Sequence, residues 1–507
     1  MDLSLNPTEQ RIFDLLRQVV RSKAPETTLR VAGGWVRDKL MGKESNDIDI
    51  AIDNMTGEEF ANLVVQYTRE HGMKGGTVAV VEANPEQSKH LATAMVRVFG
   101  LPIDFVNLRT ETYADSRIPG MQMGTAEEDA SRRDLTINSL FYNINTSEIE
   151  DYIGGLQDLK RGIARTPMDP VQTFLDDPLR ILRTVRFAAR YNLDLDPSLV
   201  EAAHDPRVQQ AFKNKVSQER VWTELAGKKE GEKWKPGAMI GPNPGKAAEL
   251  LKELGLMEPI FDLSPEEMQQ MSLPEEVVPW ETEQDNPHHT LNIWGHTLAT
   301  LKALVDRTHE DIRADEETYL VRNIAALLHD IGKRYKGIQG IHEQGHTTYH
   351  GHEELSGQMA EAILTRLKAP KKIIQRVKTL IDVHLKPHEL LRGGGGRARR
   401  RFVRNFEDWP HSMDLAIADA LGKQKYTPEE AEQEAQKYED LRTKIQESMP
   451  TGGPVFQRPI TGRDLIEIGF QPGPIMGEIM RAIDEAMLDN PDLTKEEALD
   501  IARTFPT

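Results

Sequence analysis

The sequence predicts an α+β head followed by a long helical remainder. Three observations carry this. Short apolar runs of strand length crowd into residues 28–107. Helix-period patterning takes over from about residue 156. Carboxylates and histidines fall into two groups far apart in the chain, so two sites on two scaffolds are expected.

In order, residues 8–23 read as an amphipathic helix. Strands follow at TLRVAGG (28–34), DIDIAI (47–52), TVAVV (77–81), AMVRVF (94–99) and PIDFVN (102–107), several of them separated by helical stretches. SLFYNINTSEIEDYIGG (139–155) reads as a hairpin closing a small mixed sheet. Residues 156–262 are helical, with an exposed loop at 228–245 by composition. Acidic, proline-containing residues 264–287 read as a linker. Residues 288–425 are helical, and nine of the fifteen histidines fall between 288 and 352. GGGG (393–396) is the one low-complexity tract, and no tandem repeat occurs. The expected domains are an N-terminal helix (1–27), a head (28–155), a helical neck and body (156–262), a linker (263–287), a second helical domain (288–425) and a helical tail (426–507) with a turn at 469–477.

A chain of 507 residues suggests two to four domains, and 38% hydrophobic against 28% charged residues is enough for real cores. Lys+Arg is 63 and Asp+Glu is 81, so the net charge is 63 − 81 = −18. That total argues against indiscriminate coating of nucleic acid but leaves room for a local basic groove. With no cysteine, disulfides, thiolate zinc sites and cysteine nucleophiles are excluded together. No apolar run reaches the roughly 18 residues of a membrane span, and MDLSLNPTEQ has no signal-peptide pattern. A cytoplasmic location is the expectation.

The first site is carboxylate-based. Asp47 and Asp49 alternate on a strand and so share a face, where two parallel carboxylates repel unless a cation lies between them. All-oxygen ligands suit Mg²⁺, which serves phosphoryl transfer. Asp104, on Ile103–Phe105, is a candidate third carboxylate. Gly33 and Gly34 permit close backbone approach to a triphosphate, and Arg37 lies one helical turn on. Further along, Arg180, Arg183, Arg186 and Arg190 form one stripe about 120° wide on a helix at ~100° per residue, with no acidic residue between 178 and 193. Clustered arginines of that kind want an anion.

GGWVRDKLMGKESNDIDIAI resembles the catalytic head of class II tRNA nucleotidyltransferases, the CCA-adding enzymes, in the polymerase-β-like superfamily. The resemblance continues through PIDFVNLRTETY (102–113), EEDASRRDLTINSLFYNI (127–144) and FLDDPLRILRTVRFAARY (174–191), covering roughly residues 28–262. It implies a polymerase-β-like head with a helical neck. It further implies that Gly34 and Arg37 face the triphosphate and that Asp47 and Asp49 hold Mg²⁺; Asp104 stays the candidate third catalytic carboxylate. Arg132, Arg133, Asp134 and Asn138 would hold the nucleotide. Residues 110–130 match a flexible loop associated with the switch to adenine addition. The family's Glu-Asp-x-x-Arg template motif stands here as Asp176-Asp177-x-x-Arg180. Asp177 and Arg180 would then read the base edge, with Arg183 and Arg186 beside them.

The second group is His296, His329-Asp330, His352, His384 and Asp419. Imidazole with carboxylate suits Ni²⁺, Mn²⁺ or Fe²⁺ as well as Mg²⁺. AALLHDIGK (325–333) and its surroundings resemble the HD superfamily. The resemblance implies His296, His329, Asp330 and Asp419 as ligands, His352 and His384 for a second ion, and metal-dependent phosphohydrolase activity. Finally, Arg392–Arg404 carries six arginines, and Arg397, Arg399, Arg400 and Arg401 are candidate RNA contacts.

The expected function is therefore addition of C, C and A to tRNA 3′ ends from CTP and ATP, releasing pyrophosphate, with tRNA as partner and neither DNA nor membrane expected. One rival is a poly(A) polymerase, but ATAMVRVFGLPIDFVN (92–107) lacks the GRRF-like block usual in bacterial members. Others are a partial CC- or A-adding enzyme, and an HD phosphohydrolase with a nucleotide-sensing head.

Overall fold

In the computed structural model, α1 (Pro7–Lys23) starts where Asn6 caps it. The Asn6 carboxamide accepts from the Thr8 and Glu9 amides, while Glu9 reaches back to the Asn6 amide. The residues described are 3–45, 47–73, 78–81, 93–112, 120–230, 233–273, 276–285, 290–449 and 458–506. They divide into two compact units, Met1–Leu225 with Gly241–Pro259, and Ala226–Ile240 with Ile260–Thr507.

The first unit is built on β1 (Leu29–Ala32), α2 (Gly34–Leu40), β2 (Ile48–Ile52), α3 (Gly57–Glu70), β3 (Val78–Val81), β4 (Thr93–Val98) and β5 (Leu101–Asn107). A hairpin of β6 (Arg109–Thr112) and β7 (Gly120–Met123) leads into α4 (Ala126–Ser131). Then come β8 (Phe141–Asn143) and β9 (Glu148–Glu150), the predicted closing hairpin. Seven strands form one mixed sheet in the order β3-β4-β5-β2-β1-β8-β9, with β2 and β5 parallel. Residues 113–119, in the middle of the predicted switching loop, lie outside the described residues. The period-two pattern governs the sheet. Ile48, Ile50 and Ile52 of β2 and Ile103 and Phe105 of β5 enter one core with Phe13 and Leu16 of α1 and Phe60 and Val64 of α3. The alternate residues face the other way, where Ala51 and Val106 pack with Ala126 and Ala130 of α4.

Beyond the sheet come α5 (Gly155–Arg161), α6 (Pro170–Asp176) and α7 (Leu179–Tyr191). The buried residues Ile181, Leu182, Val185, Ala188 and Ala189 line one side of α7. Residues 228–245 are not simply a loop. Gly227–Glu230 pairs with Lys233–Pro236 as an antiparallel hairpin, and helix Pro244–Glu253 follows.

In the second unit, the predicted linker is also partly structured. It forms helix Pro265–Gln270, buries Trp280 and Gln284, and joins the fold through the Val278 amide, which donates to the Arg334 carbonyl at 2.8 Å. Composition predicted solvent there, but Trp280 meets Trp294 edge to face and lies under the Arg334 guanidinium. Helix Glu316–Leu328 is buried on every side from Thr318 to Leu328, so it runs through the middle of the bundle and ends at His329-Asp330. The tail has its own core of Leu465, Phe470, Ile479, Ile483, Met487, Ala498 and Ala502. No helix among the described residues is long and apolar enough to cross a membrane.

Candidate functional site

The parallel register of β2 and β5 sets Asp49 directly beside Asp104. Because their neighbours Ile48, Ile50, Ile103 and Phe105 point into the core, the pleat turns both carboxylates to the opposite face. Asp47, two residues before Asp49, brings a third. One oxygen from each lies within 4.8 Å of the others, with Asp47 exposed and its two companions half-buried. Three like charges at that spacing repel, and a hard divalent cation bridging oxygens removes the repulsion.

Gly33 precedes α2 at φ +68°, with its amide donating to the Leu140 carbonyl at 2.8 Å. A Cβ there would come within 2.5 Å of the Arg133 guanidinium, so only glycine fits without displacing it. Gly34 is less constrained: its nearest neighbour would be Arg37, at 3.5 Å. The α2 helix is anchored by Glu9, fully buried, which accepts from Trp35 Nε1 at 3.1 Å and pairs with Lys39 at 2.9 Å.

The structure alters the expectation for Arg37. Its guanidinium is buried. It donates to Asp38 Oδ1, to Asn138 Oδ1 and, at 2.5 Å, to the Tyr191 hydroxyl, and it stacks over the Tyr191 ring. Here Arg37 ties α2 to the end of α7. Arg132 and Arg133 grip Asp129 at 2.5 and 2.7 Å, and Arg133 also donates to the Asn138 carbonyl. Burial disfavours charge on Asp129, but the two guanidiniums outweigh it and hold its carboxyl below the usual range. Asp134 accepts from Asn138 Nδ2 at 2.9 Å and from Arg183 at 2.7–2.8 Å. There too burial is overcome, by the Arg183 charge and the Asn138 hydrogen bond, and the carboxyl sits well below its ordinary value.

The arginine stripe of α7 is not unpartnered. Asp134 and Glu224 approach it from other segments: Glu224 takes Arg186 at 2.5 Å and Arg183 at 3.8 Å. Asp177 receives a two-pronged bond from Arg220 at 2.9 and 3.4 Å, while Arg180 donates to the Arg132 carbonyl at 2.7 Å. Sequence reasoning missed Asp129, Arg220 and Glu224. Asp129 was legible, standing three and four residues before the two arginines it binds. The other two lie some forty residues from their partners and left no local signal.

In the second unit the predicted histidines and aspartates do converge. His296, His329, Asp330 and Asp419 form one group of donor atoms within 4.8 Å, and Asp330, His352 and His384 form another, all buried. Asp330 belongs to both. A shared device orients three of the rings. His329, His352 and His384 each use Nδ1 to donate to a carbonyl three residues back, at 2.8, 2.7 and 2.6 Å. That fixes the tautomer and turns each Nε2 lone pair inward. His329 Nε2 and Asp330 Oδ2 lie 3.3 Å apart, both buried, and neither makes an aligned hydrogen bond among the described residues. Burial disfavours charge on His329, yet Asp330 and Asp419 push its pKa up to about 10, the response of an imidazole to carboxylates that call for positive charge. His384 goes the other way, to about 3, through burial and the neighbouring imidazoles. A borderline divalent cation fits such a donor set. Lys333, 2.8 Å from Asp330, and His388, against Asp419, are further members that sequence reasoning passed over.

The arginine run forms helix Gly396–Asn405, and the tail supplies partners. Arg397 pairs with Glu485 and Asp489, Arg401 with Glu485 at 2.9 Å, and Arg400 donates to the Leu488 carbonyl at 2.8 Å. Arg399 turns back to the Gly394 carbonyl.

Residues 29–165 match the sequence family described as poly A polymerase head domain. The mitochondrial CCA tRNA nucleotidyltransferase of Saccharomyces cerevisiae is 46% identical over 272 residues, covering 51% of this chain and 48% of that protein. The multifunctional CCA protein of Neisseria meningitidis is 27% identical over 410 residues, covering 78% and 84%. This chain thus spans about half the length of the yeast relative. The fold is that of a solved CCA-adding enzyme, from Bacillus stearothermophilus in complex with CTP, at a TM-score of 0.58 and 18% identity over 99% of both chains.

Proposed function

We propose that the first unit is a CCA-adding tRNA nucleotidyltransferase. It would extend tRNA 3′ ends with C, C and A from CTP and ATP and release pyrophosphate. The observation that carries this is the Asp47–Asp49–Asp104 cluster, set by the register of two parallel strands. Bound Mg²⁺ would supply activation of the attacking 3′ hydroxyl and charge neutralisation on the leaving pyrophosphate. The chain's own residues do the rest. The three carboxylates hold the cation on a rigid sheet. Gly33 keeps the α2 entrance free of a side chain. The Asp129–Arg133 and Asp134–Arg183 pairs preset the floor on which a nucleotide would rest. Asp177 and Arg180 stand together at the start of α7 as the base-reading pair, with Arg220 orienting Asp177. The head match, the yeast relative and the shared fold support the reading.

The test is purified protein with tRNA lacking its 3′ end, each nucleotide separately and together, and sequencing of the product. Addition of CCA is expected. Asp49→Ala should lower the rate by about 10³-fold or more, since a ligand lost from so small a set costs several kcal/mol of transition-state stabilisation. Near-wild-type addition by that variant removes the assignment.

For the second unit we propose an HD-type, metal-dependent phosphohydrolase. The buried, doubly grouped donors around Asp330 support it, as does the word multifunctional in the Neisseria relative's name. Its substrates would be cyclic or 2′-phosphorylated nucleotides, tested across Ni²⁺, Mn²⁺, Fe²⁺ and Mg²⁺. RNA contact by Arg397 and Arg401 would require exchange of Glu485 and Asp489 for phosphate, and contact by Arg400 would require release of the Leu488 carbonyl.

A further inference from the structure

His388 stands apart from the imidazoles around it. His329, His352 and His384 spend Nδ1–H on backbone and present Nε2 to the cluster. His388, on helix Lys386–Gly393, does the reverse: its Nε2 lies 2.9 Å from Asp419 Oδ2, and its Nδ1 lies 2.5 Å from the Tyr438 hydroxyl. For a neutral ring one assignment of hydrogens satisfies both contacts. Tyr438 O–H donates to Nδ1, and Nε2–H donates to the carboxylate. The ring therefore offers no lone pair to a cation. Tyr438 is buried on helix Pro428–Glu447, and its ring meets His388 edge-on at 5.5 Å. The other oxygen of Asp419, Oδ1, faces His296 Nε2 at 2.8 Å and His329 Nε2 at 3.8 Å. Lys423 Nζ, 3.7 Å from Oδ2, is too distant for an aligned bond and adds only charge.

A carboxylate held on one side only can rotate about its Cβ–Cγ bond and swap oxygens. Holding Oδ2 fixes which oxygen the cluster receives. We infer that His388 is a positioning residue that locks Asp419 with Oδ1 toward the metal position, and that Tyr438 sets the His388 tautomer which makes the lock possible. This rests on the metal-site reading of the His–Asp cluster.

The test is metal binding by the full-length, metal-stripped protein, in an Asp49→Ala background so that the head carboxylates contribute little. Mn²⁺ and Co²⁺ are titrated, and the visible spectrum of the Co²⁺-loaded protein is recorded. His388→Ala should weaken binding about 10- to 100-fold, the usual effect of losing an outer-shell partner, and change the Co²⁺ spectrum. His388→Gln, whose amide can donate from nearly the place of Nε2–H, should restore binding to within a few-fold and recover the spectrum. Tyr438→Phe should weaken binding by a smaller factor. Wild-type affinity and spectrum in His388→Ala overturn the inference. So does a His388→Gln variant as weak as His388→Ala while equally folded by circular dichroism, since that is the mark of packing alone. If the parent protein binds neither ion, the metal-site reading falls and this inference falls with it.

Discussion

Gly33 shows how closely single residues are specified around the head site. Its φ of +68° and the 2.5 Å approach of Arg133 act against any side chain. Gly33→Ala should lower head stability by about 1–3 kcal/mol from backbone strain and also displace Arg133. Thermal unfolding and kcat/KM for CTP together measure it. Glu9, fully buried under Lys39 and Trp35, is a second such point. Glu9→Ala removes the acceptor of Trp35 Nε1–H and of the Asn6 amide and leaves Lys39 with Glu44 alone; it should destabilise the unit by about 1–3 kcal/mol, read as a lower midpoint in urea. Asp134 makes a pH prediction. Its pKa is lowered on folding, so its contribution is full above the unfolded carboxyl value of about 4 and drains away as pH falls through the folded value. The wild type should lose stability on acidification below about pH 4. Asp134→Asn should start less stable at neutral pH and show a shallower acid limb.

At the scale of elements, the contact between helix Gly396–Asn405 and helix Pro474–Asp489 is informative. Arg397, Arg401 and Arg404 follow at i, i+4 and i+7, one face, and all reach Glu485. Arg400 caps the far end of the tail helix through the Leu488 and Asp489 carbonyls, where the helix dipole favours a cation. These pairs are solvent-exposed and therefore screened by salt. Hydrogen exchange of residues 474–489 should quicken between low and high ionic strength. Glu485→Gln should quicken it at low salt and blunt the salt response. An exchange rate indifferent to both places the docking on the tail's apolar core instead.

On the scale of the molecule, the carboxylate cluster and the His–Asp cluster lie in different compact units. They also differ in chemistry: oxygen donors half open to solvent against buried imidazoles and carboxylates. His329→Ala should therefore abolish phosphoester hydrolysis and leave CCA addition within a few-fold, measured on the same preparations across a metal panel. Loss of addition by a folded His329→Ala protein contradicts independence.

Local pattern alone determined β1 to β5, β8 and β9 with their buried faces, the alternation that sets Asp47 and Asp49 on one side, and the amphipathic split of α7; it did not give β6 and β7 or the 227–236 hairpin, which fall where loops were expected. Each feature it determined depends on backbone periodicity, which a sequence states directly. The residues of the His–Asp cluster were legible through the resemblance of AALLHDIGK and its surroundings to the HD superfamily. Tertiary structure decided the partners. Whether Asp104 meets Asp49 depends on strand order and register. Whether the arginines of α7 are free depends on Asp134 and Glu224 arriving from elsewhere. Whether residues 264–287 are solvated depends on Trp280 finding a buried place. A charge or an indole carries no mark of its distant neighbour, and compaction of the chain supplies it.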